Sequence, residues 1–509
     1  MNRSKKVVLG AGISFIFSLL QIVLSLLRTR IIIGGYGTDI NSLNAVSSQL
    51  FNYVTLLEGG IGAGFLYTMY APMAQKNYYE VNKLYNGLKR SIRRMAWIML
   101  AATIVISFVY PLVVAKNSLG YLRIVWIFLL MSVRYIIPYF FSVYNKQLLI
   151  LSEKQHFLSL IDGFISVGII VMEIVLIGVF QLPFEAVLLM GIVFTILTAF
   201  TYRLCVLKTC NPLIGKTSEY SLAGRKMTKD IMVHKVAYIA NTQIDGVLLS
   251  FLDLFKTTVY TAYNSIVSYP AMIMNKVIVN LRGALGVKMN SGDSKEQNYS
   301  LFKEMLTMNI FIAIVVCSVF LLMINKFVTL WLGEKFLLGG ICLVLMMFNL
   351  FHTFVNEIII LFRDAKGLYK DSKWYTLATA ISNLVLSVIL MQFWGITGLL
   401  IATVFSTYCI MDLGNNILLF KKAFKQKLSI YLDYLLAFCT IALNVFLGYL
   451  LQKYLFNGIE SYNFLWFVLE TIVIAAVSVV VTVCLQLIFN RYFKKLVNRL
   501  LGLFRRKKN

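Results

Sequence analysis

Residues 463–490 read NFLWFVLETIVIAAVSVVVTVCLQLIFN and contain one charged side chain, that of Glu470. A helix that crosses a membrane needs about 20 apolar residues. Of the 509 residues, 59% are hydrophobic and 14% are charged, whereas soluble domains average about 25% charged residues. The sequence therefore predicts an all-α integral membrane protein, and it argues against a soluble enzyme, a nucleic-acid-binding domain and a secreted disulfide scaffold.

Outward from this stretch, the sequence predicts about fourteen transmembrane helices, since that many apolar runs reach the required length. The runs are 9–33, 42–73, 95–115, 119–143, 157–180, 184–205, 233–252, 257–287, 304–325, 338–362, 375–393, 396–420, 434–452 and 463–490. With the N-terminus inside, 37 of the 48 Lys and Arg residues lie in or beside inner segments, and five lie in outer loops. This asymmetry predicts that both termini are cytoplasmic.

An internal repeat predicts the domain organisation. A shift of 217 residues aligns the first half of the chain with the second, and places 43–49 on 260–266 and 145–157 on 362–374. Two six-helix lobes of the same orientation are therefore expected, with a cavity between them. The predicted segments are a lobe at 1–205, a basic cytoplasmic linker at 206–232, a lobe at 233–420, two further helices at 421–490, and a basic tail at 491–509 that lies along the inner headgroups.

Motifs for enzymatic chemistry are missing from the sequence. The seven Cys are scattered without a CxxC pair and the three His are isolated, which argues against disulfides, a zinc site or haem attachment. Neither a phosphate-binding P-loop nor an HExxH or GxSxG motif occurs. The chain is predicted not to be an enzyme, with no catalytic residues, no metal site and no cofactor. Its net charge of +26 is attributed to loops that face anionic lipids rather than nucleic acid.

Polar residues inside predicted spans indicate a cavity, because ionisable groups in hydrocarbon are costly and usually face a partner or water. They recur on one face of spans 1, 2, 7 and 8, although Ser and Thr on such a face often serve only helix packing. The candidates for substrate binding are Arg28, Asn52, Glu58, Arg134, Asn241, Asn264, Lys276 and Arg282.

Arg28 and Asp245 form a notable pair, because the 217-residue shift relates them and their charges are opposite. One reading is a salt bridge between the lobes. In the other, Arg28 holds an anionic substrate group while Asp245 binds a cation or latches the lobes. Both readings remain open from the sequence.

The chain resembles the multidrug/oligosaccharidyl-lipid/polysaccharide (MOP) exporter superfamily, and within it the Wzx-type polysaccharide or O-antigen flippases. The segments that carry the resemblance are LLEGGIGAG at 56–64, YNKQLLILSEKQ at 144–155, NTQIDGVLLS at 241–250 and VYTAYN at 259–264. The resemblance implies that the chain moves undecaprenyl-diphosphate-linked oligosaccharide units from the inner to the outer leaflet by alternating access. Such units serve the synthesis of capsule, exopolysaccharide or O-antigen.

Related lipid II flippases carry an arginine on span 1, basic residues on span 8 and an aspartate on span 7. The resemblance transfers these roles to Arg28, to Lys276 or Arg282, and to Asp245. It also implies a site for a coupling ion, Na+ or H+, in which residues of spans 11 and 12 join Asp245. The candidates there are Thr379, Asn383 and Thr403.

Three functions are weighed. The first is the polysaccharide flippase, and the second is a flippase for a lipid II-type peptidoglycan precursor. The third is a cation-coupled multidrug antiporter, which the basic cavity residues disfavour. The expected partners are the lipid-linked glycan, anionic lipids, and the polymerase and glycosyltransferases of the same pathway. The expected location is the bacterial cytoplasmic membrane.

Overall fold

The structure, a computed structural model, describes residues 3–58, 60–115, 117–152, 154–210, 213–215, 217–227, 244–289, 294–457 and 462–506. Within these ranges, the side chains of 3–11, 14, 56–57, 155–156, 226–227, 275–277, 279–284, 286–287, 369–370 and 500–506 are not described. Every regular element in the described part is a helix, as the composition predicts.

Sixteen α-helices have defined bounds. They are α1 (Arg3–Val54), α2 (Ile61–Ala74), α3 (Tyr78–Val113), α4 (Tyr121–Phe141), α5 (Val143–Leu151), α6 (Gln155–Gly178), α7 (Phe184–Thr209), α8 (Leu254–Met289), α9 (Lys295–Trp331), α10 (Gly340–Ala365), α11 (Tyr369–Trp394), α12 (Ile396–Ser406), α13 (Leu413–Leu418), α14 (Ile430–Leu451), α15 (Phe464–Phe489) and α16 (Arg491–Arg506).

Eleven helical segments of the described part are long and apolar enough to cross a membrane. They are Phe15–Val54, Tyr78–Val113, Tyr121–Phe141, Phe157–Gly178, Phe184–Thr209, Lys295–Trp331, Gly340–Ala365, Asp371–Trp394, Ile396–Phe424, Ile430–Phe456 and Phe464–Phe489. The chain is thus confirmed as a multi-pass membrane protein. The predicted span 233–252 lies largely outside the described residues, so the count of fourteen and the cytoplasmic termini remain predictions.

The first two predicted spans have different boundaries in the structure. Helix α1 continues through the loop expected at 34–41, with one break at Gly37, whose φ of 84° suits glycine. The run predicted as one span at 42–73 is instead interrupted by a 3₁₀ turn, Thr55–Glu58, and by Gly60 in a left-handed conformation. The glycine-rich sequence at 59–64 accounts for this, because glycine weakens a helix and permits positive φ.

The chain divides into two compact units, Met1–Thr261 and Ala262–Asn509. In the N-terminal unit, α1 packs along α6, and α4 packs against α3 and α7. The described part of the segment predicted as a linker lies on α3: Asn82 donates to the Leu213 carbonyl at 2.9 Å, and Asn86 donates to that of Thr217 at 2.8 Å. This segment is therefore docked on the N-terminal unit. The predicted lobe boundaries remain a prediction.

In the C-terminal unit, α9 packs against α10, α14 and α15. The spanning segment Ile396–Phe424 changes its hydrogen-bonding pattern twice, with π-helical turns at Thr407–Asp412 and Leu419–Phe424 on either side of α13. The tail forms α16, whose Lys495 and Arg499 form ion pairs with buried Glu304 of α9 at 3.3 and 2.8 Å. Its placement on headgroups remains a prediction.

Candidate functional site

Three charged side chains meet inside the N-terminal unit, each from a helix that qualifies as a membrane span. Glu173 of α6 accepts a hydrogen bond from Nη1 of Arg134 of α4 through Oε1, at 2.7 Å. Its other oxygen, Oε2, forms an ion pair with Nε of Arg28 of α1. We call these three residues the arginine cluster. It contains two cations and one anion, so its excess charge is positive.

The arginine cluster is buried on its acidic side and accessible on its basic side. The Glu173 side chain is 3% exposed, whereas those of Arg28 and Arg134 are 26% and 23% exposed. Gly191 of α7 lies against the Arg134 guanidinium, and a Cβ atom there would be 3.0 Å from Nη1. Each guanidinium has five N–H donors, and Glu173 contacts one nitrogen of each. The arrangement can therefore present oriented donors to a second anion.

Among the described residues, the carboxylate that Arg28 pairs with is that of Glu173, not that of Asp245. The buried Asp245 carboxylate instead accepts a hydrogen bond from the Tyr260 hydroxyl at 2.7 Å. The repeat does bring other related positions into contact, since Asn41 donates to Thr258, 217 residues away, at 3.3 Å. The salt bridge considered for Arg28 and Asp245 is thus not the pairing of this structure.

Two further substrate-binding candidates have local structural contacts. Asn52 accepts a short hydrogen bond from the Tyr135 hydroxyl, and Glu58 accepts from the backbone N–H of Gly62 at 3.1 Å. The Glu58 contact satisfies an N–H group in the first turn of α2, which is the role of a capping side chain. Both residues have a structural role, and their predicted substrate role remains a prediction.

The remaining candidates lie in the C-terminal unit or outside the described residues. Asn264 is half-buried in α8, and the hydroxyls of Thr379 and Thr403 donate to carbonyls of the preceding turn at 2.8 and 3.1 Å, a common local contact. Asn383 is buried and accepts from Ser387 at 2.9 Å. Asn241 and the side chains of Lys276 and Arg282 lie outside the described residues.

Two functional candidates were not singled out from the sequence. Glu173 shares a helical face with Asp162 and Ser166, but nothing in that spacing indicates which helix the face contacts. Asp412 lies in a polar MDLGNN stretch at 411–416, within an otherwise apolar span. That interruption was a usable signal. Among the described residues, no three His, Cys, Asp or Glu side chains come together as metal ligands.

Comparison with known proteins identifies the fold. No protein-family model and no curated protein matches the chain. Among solved structures it is similar to the lipid II flippase MurJ in an inward closed conformation, with a TM-score of 0.68 and 14% identity over 92% of this chain and 97% of that one. This chain has the fold of MOP-superfamily transporters.

Other structures of the MOP type match at similar identity. A MATE transporter from Vibrio cholerae has a TM-score of 0.57 and 12% identity, over 83% of this chain and 99% of that one. A MOP-superfamily transporter from Pyrococcus furiosus has a TM-score of 0.57 and 13% identity, over 82% and 95%. These neighbours are a flippase and transporters, and the bacterial location of this chain remains a prediction.

Proposed function

We propose that the chain is a flippase that moves an undecaprenyl-diphosphate-linked oligosaccharide from the inner to the outer leaflet, for surface polysaccharide synthesis. The observation that carries this proposal is the arginine cluster: two part-exposed guanidiniums inside membrane-spanning helices, oriented by one buried carboxylate. Support also comes from the MOP transporter fold.

The charge of the arginine cluster favours an anionic substrate. Charged groups inside a membrane are costly and are retained where they line a substrate path or meet a partner. Glu173 neutralises one of the two arginines, so one positive charge is left over. A diphosphate diester is a dianion, and it would lose its hydration on crossing the hydrocarbon of the membrane. Guanidinium groups replace that hydration with bidentate hydrogen bonds.

Glu173 has a positioning role in this proposal. Its two oxygens contact different arginines, which holds both guanidiniums at a fixed separation before substrate arrives. Such preorganisation reduces the ordering cost of binding. Because Glu173 is buried behind the exposed parts of both arginines, the diphosphate approaches from the accessible side. The glycan then occupies polar surroundings while the prenyl chain stays in lipid.

A lipid II-type precursor is the second candidate, because MurJ, one of the similar structures, is a lipid II flippase. It shares the prenyl diphosphate, so the arginine cluster supports both. Multidrug antiport is disfavoured by the positive cluster, although a MATE transporter shares the fold. In the Pyrococcus furiosus transporter, reversed polarity of the binding pocket suggests a different function, so the charge of the pocket can differ between proteins of this fold.

The test is export in a strain whose own copy is deleted. Arg28→Gln and Arg134→Gln should each abolish surface glycan while the lipid-linked precursor accumulates at the inner leaflet. Arg28→Lys should keep part of the activity, since an ammonium cannot form the bidentate contacts.

The matched control is Arg123→Gln, because Arg123 pairs with Glu185 at 2.7 Å but is 45% exposed. This variant should export normally. Normal surface glycan in both Arg28→Gln and Arg134→Gln, at wild-type protein levels, would refute the proposal. Accumulation of peptidoglycan precursor instead of the glycan precursor would select the lipid II alternative.

A further inference from the structure

A second buried polar cluster lies in the C-terminal unit, at the π-helical turn Thr407–Asp412. Asp412, Asn415 and Asn416 are all fully buried. One carboxylate oxygen of Asp412, Oδ1, accepts a hydrogen bond from the Tyr434 hydroxyl of α14 at 3.2 Å. The other, Oδ2, has no hydrogen-bond partner in the described part of the chain, and neither has Oδ1 of Asn416. We call this the Asp412 pocket.

No Lys or Arg among the described residues forms an ion pair with Asp412. Arg363 of α10 comes near the pocket, but its Nε and Nη2 donate to Asp364 at 3.0 and 2.8 Å, and its Nη1 lies 3.4 Å from Oδ1 of Asn415. The His352 ring packs on that of Tyr408 at 5.3 Å, and its Nε2 has no hydrogen-bond partner among the described residues. Among the described side chains, the Asp412 carboxyl therefore has no compensating cation.

The other titratable and charged groups around the pocket, among the described residues, are aromatic hydroxyls, two thiols and groups on the neighbouring helices. They are Tyr408 and Cys409 on the π-helical turn itself, Tyr431 and Tyr434 on α14, His352 and Arg363 on α10, Cys317 on α9, Tyr375 on α11 against Gly414, and the exposed ion pair of Asp371 and Lys422.

Burial without a cation restricts the state of the carboxyl group. An isolated carboxylate in an apolar interior is so costly that it takes up a proton or a cation instead. The Tyr434 hydroxyl at 3.2 Å and the neighbouring Asn416 amide are neutral groups and do not supply a compensating charge. Phenylalanine rings enclose the pocket, since Phe351 packs on Tyr434 at 5.6 Å and Phe348 on Tyr408 at 6.1 Å. A metal ion needs several oxygen ligands at once, whereas a proton needs one acceptor, and Asn416 Oδ1 is an acceptor without a donor.

We propose that Asp412 is a proton-binding site of the C-terminal unit, and that its protonation and deprotonation couple a proton gradient to transport. In the protonated state the Oδ2–H group donates to Asn416. On release the O–H bond breaks, the proton passes to water, and the carboxylate is left needing new donors.

The π-helical turns on either side of α13 can change their hydrogen bonding when Asp412 loses its proton. Single π-helical turns often occur at functional sites, because they can exchange one hydrogen-bonding register for another. The proposed coupling of Asp412 to transport depends on the transport function proposed above. The proposal that Asp412 binds a proton depends only on the geometry of the C-terminal unit.

Infrared spectroscopy of the reconstituted protein tests the proton directly. At neutral pH the wild type should show a C=O stretching band of a protonated carboxyl group, which Asp412→Asn should lose. Asp371→Asn is the matched control, because Asp371 is exposed and paired with Lys422 at 2.8 Å, and it should keep the band. Exchanging K+ for Na+ should leave the band unchanged.

Three results would overturn the proposal. They are identical spectra of wild type and Asp412→Asn at every pH, a band that persists in the variant, and loss of the band on adding Na+, which would assign the pocket to a metal cation. If Asp412→Asn does not insert, Asp412→Glu replaces it, and the band should then shift in position. Export by Asp412→Asn that still responds to a pH gradient would refute the coupling role alone. The infrared result stays valid whatever lipid is transported.

Discussion

The arginine cluster of the N-terminal unit and the Asp412 pocket of the C-terminal unit are both polar sites inside membrane-spanning helices, but the buried carboxyl groups at their centres have different partners. In the first, a buried carboxylate has two guanidinium partners. In the second, a buried carboxyl accepts a hydrogen bond from one hydroxyl and forms no ion pair with any described side chain. The first arrangement suits an anionic ligand that shares the arginines, and the second suits a carboxyl group that is neutral when buried.

The largest effect is expected from removing the carboxylate of the arginine cluster. Glu173→Ala leaves two guanidiniums without their common partner, and breaking a buried ion pair from one side costs about 3–5 kcal/mol. Chemical unfolding of the purified protein in detergent measures this loss. Glu185→Ala is the matched control, because its partner Arg123 is 45% exposed, and such pairs contribute about 0–1 kcal/mol.

Inorganic pyrophosphate sharpens the same comparison. It should restore part of the stability of Glu173→Ala, because a ligand that binds only the folded state stabilises it, and the pyrophosphate anion takes the place of the lost carboxylate. Equal losses in Glu173→Ala and Glu185→Ala, or an equal rescue by chloride at the same ionic strength, would show that the arginine cluster is no anion site.

The smallest effect is expected from Asp412→Asn. A protonated carboxyl group carries no charge, and an amide has nearly the same shape. The free energy of unfolding at neutral pH should therefore change by less than about 1 kcal/mol. The same chemical unfolding measurement applies. A loss as large as that of Glu173→Ala would mean that Asp412 is ionised and compensated, and the contrast between the two sites would fail.

The sequence was sufficient for the class of the fold and for two of the three members of the arginine cluster. Apolar runs of about 20 residues mark spans because the membrane imposes that length, and Arg28 and Arg134 are conspicuous inside them. The partner of Arg28 was not predictable, because helical spacing assigns a residue to a face but not to a neighbouring helix. The repeat suggested Asp245, whereas the packing of α1 along α6 brings Glu173 to Arg28.

Irregular helix geometry also escaped prediction. The break at Gly37 lies in a Gly-Gly-Tyr-Gly sequence that predicts a loop, and nothing in the residues 407–412 distinguishes a π-helical turn from an α-helix. Such turns depend on the packing of neighbouring helices. The Asp412 pocket shows the consequence: its polar residues were visible in the sequence, but their burial without a cation emerges only from the tertiary structure.

Binding of a short prenyl diphosphate to the purified protein tests the central claim most directly. Farnesyl diphosphate should bind the wild type in native mass spectrometry or calorimetry, with an affinity that falls as salt rises. Farnesol, which lacks the diphosphate, should bind far more weakly. The double variant Arg28→Gln and Arg134→Gln should lose at least about a hundredfold in affinity, since each charge-assisted hydrogen bond contributes about 1.5–3 kcal/mol. Equal binding of farnesyl diphosphate by the wild type and this double variant would contradict the account.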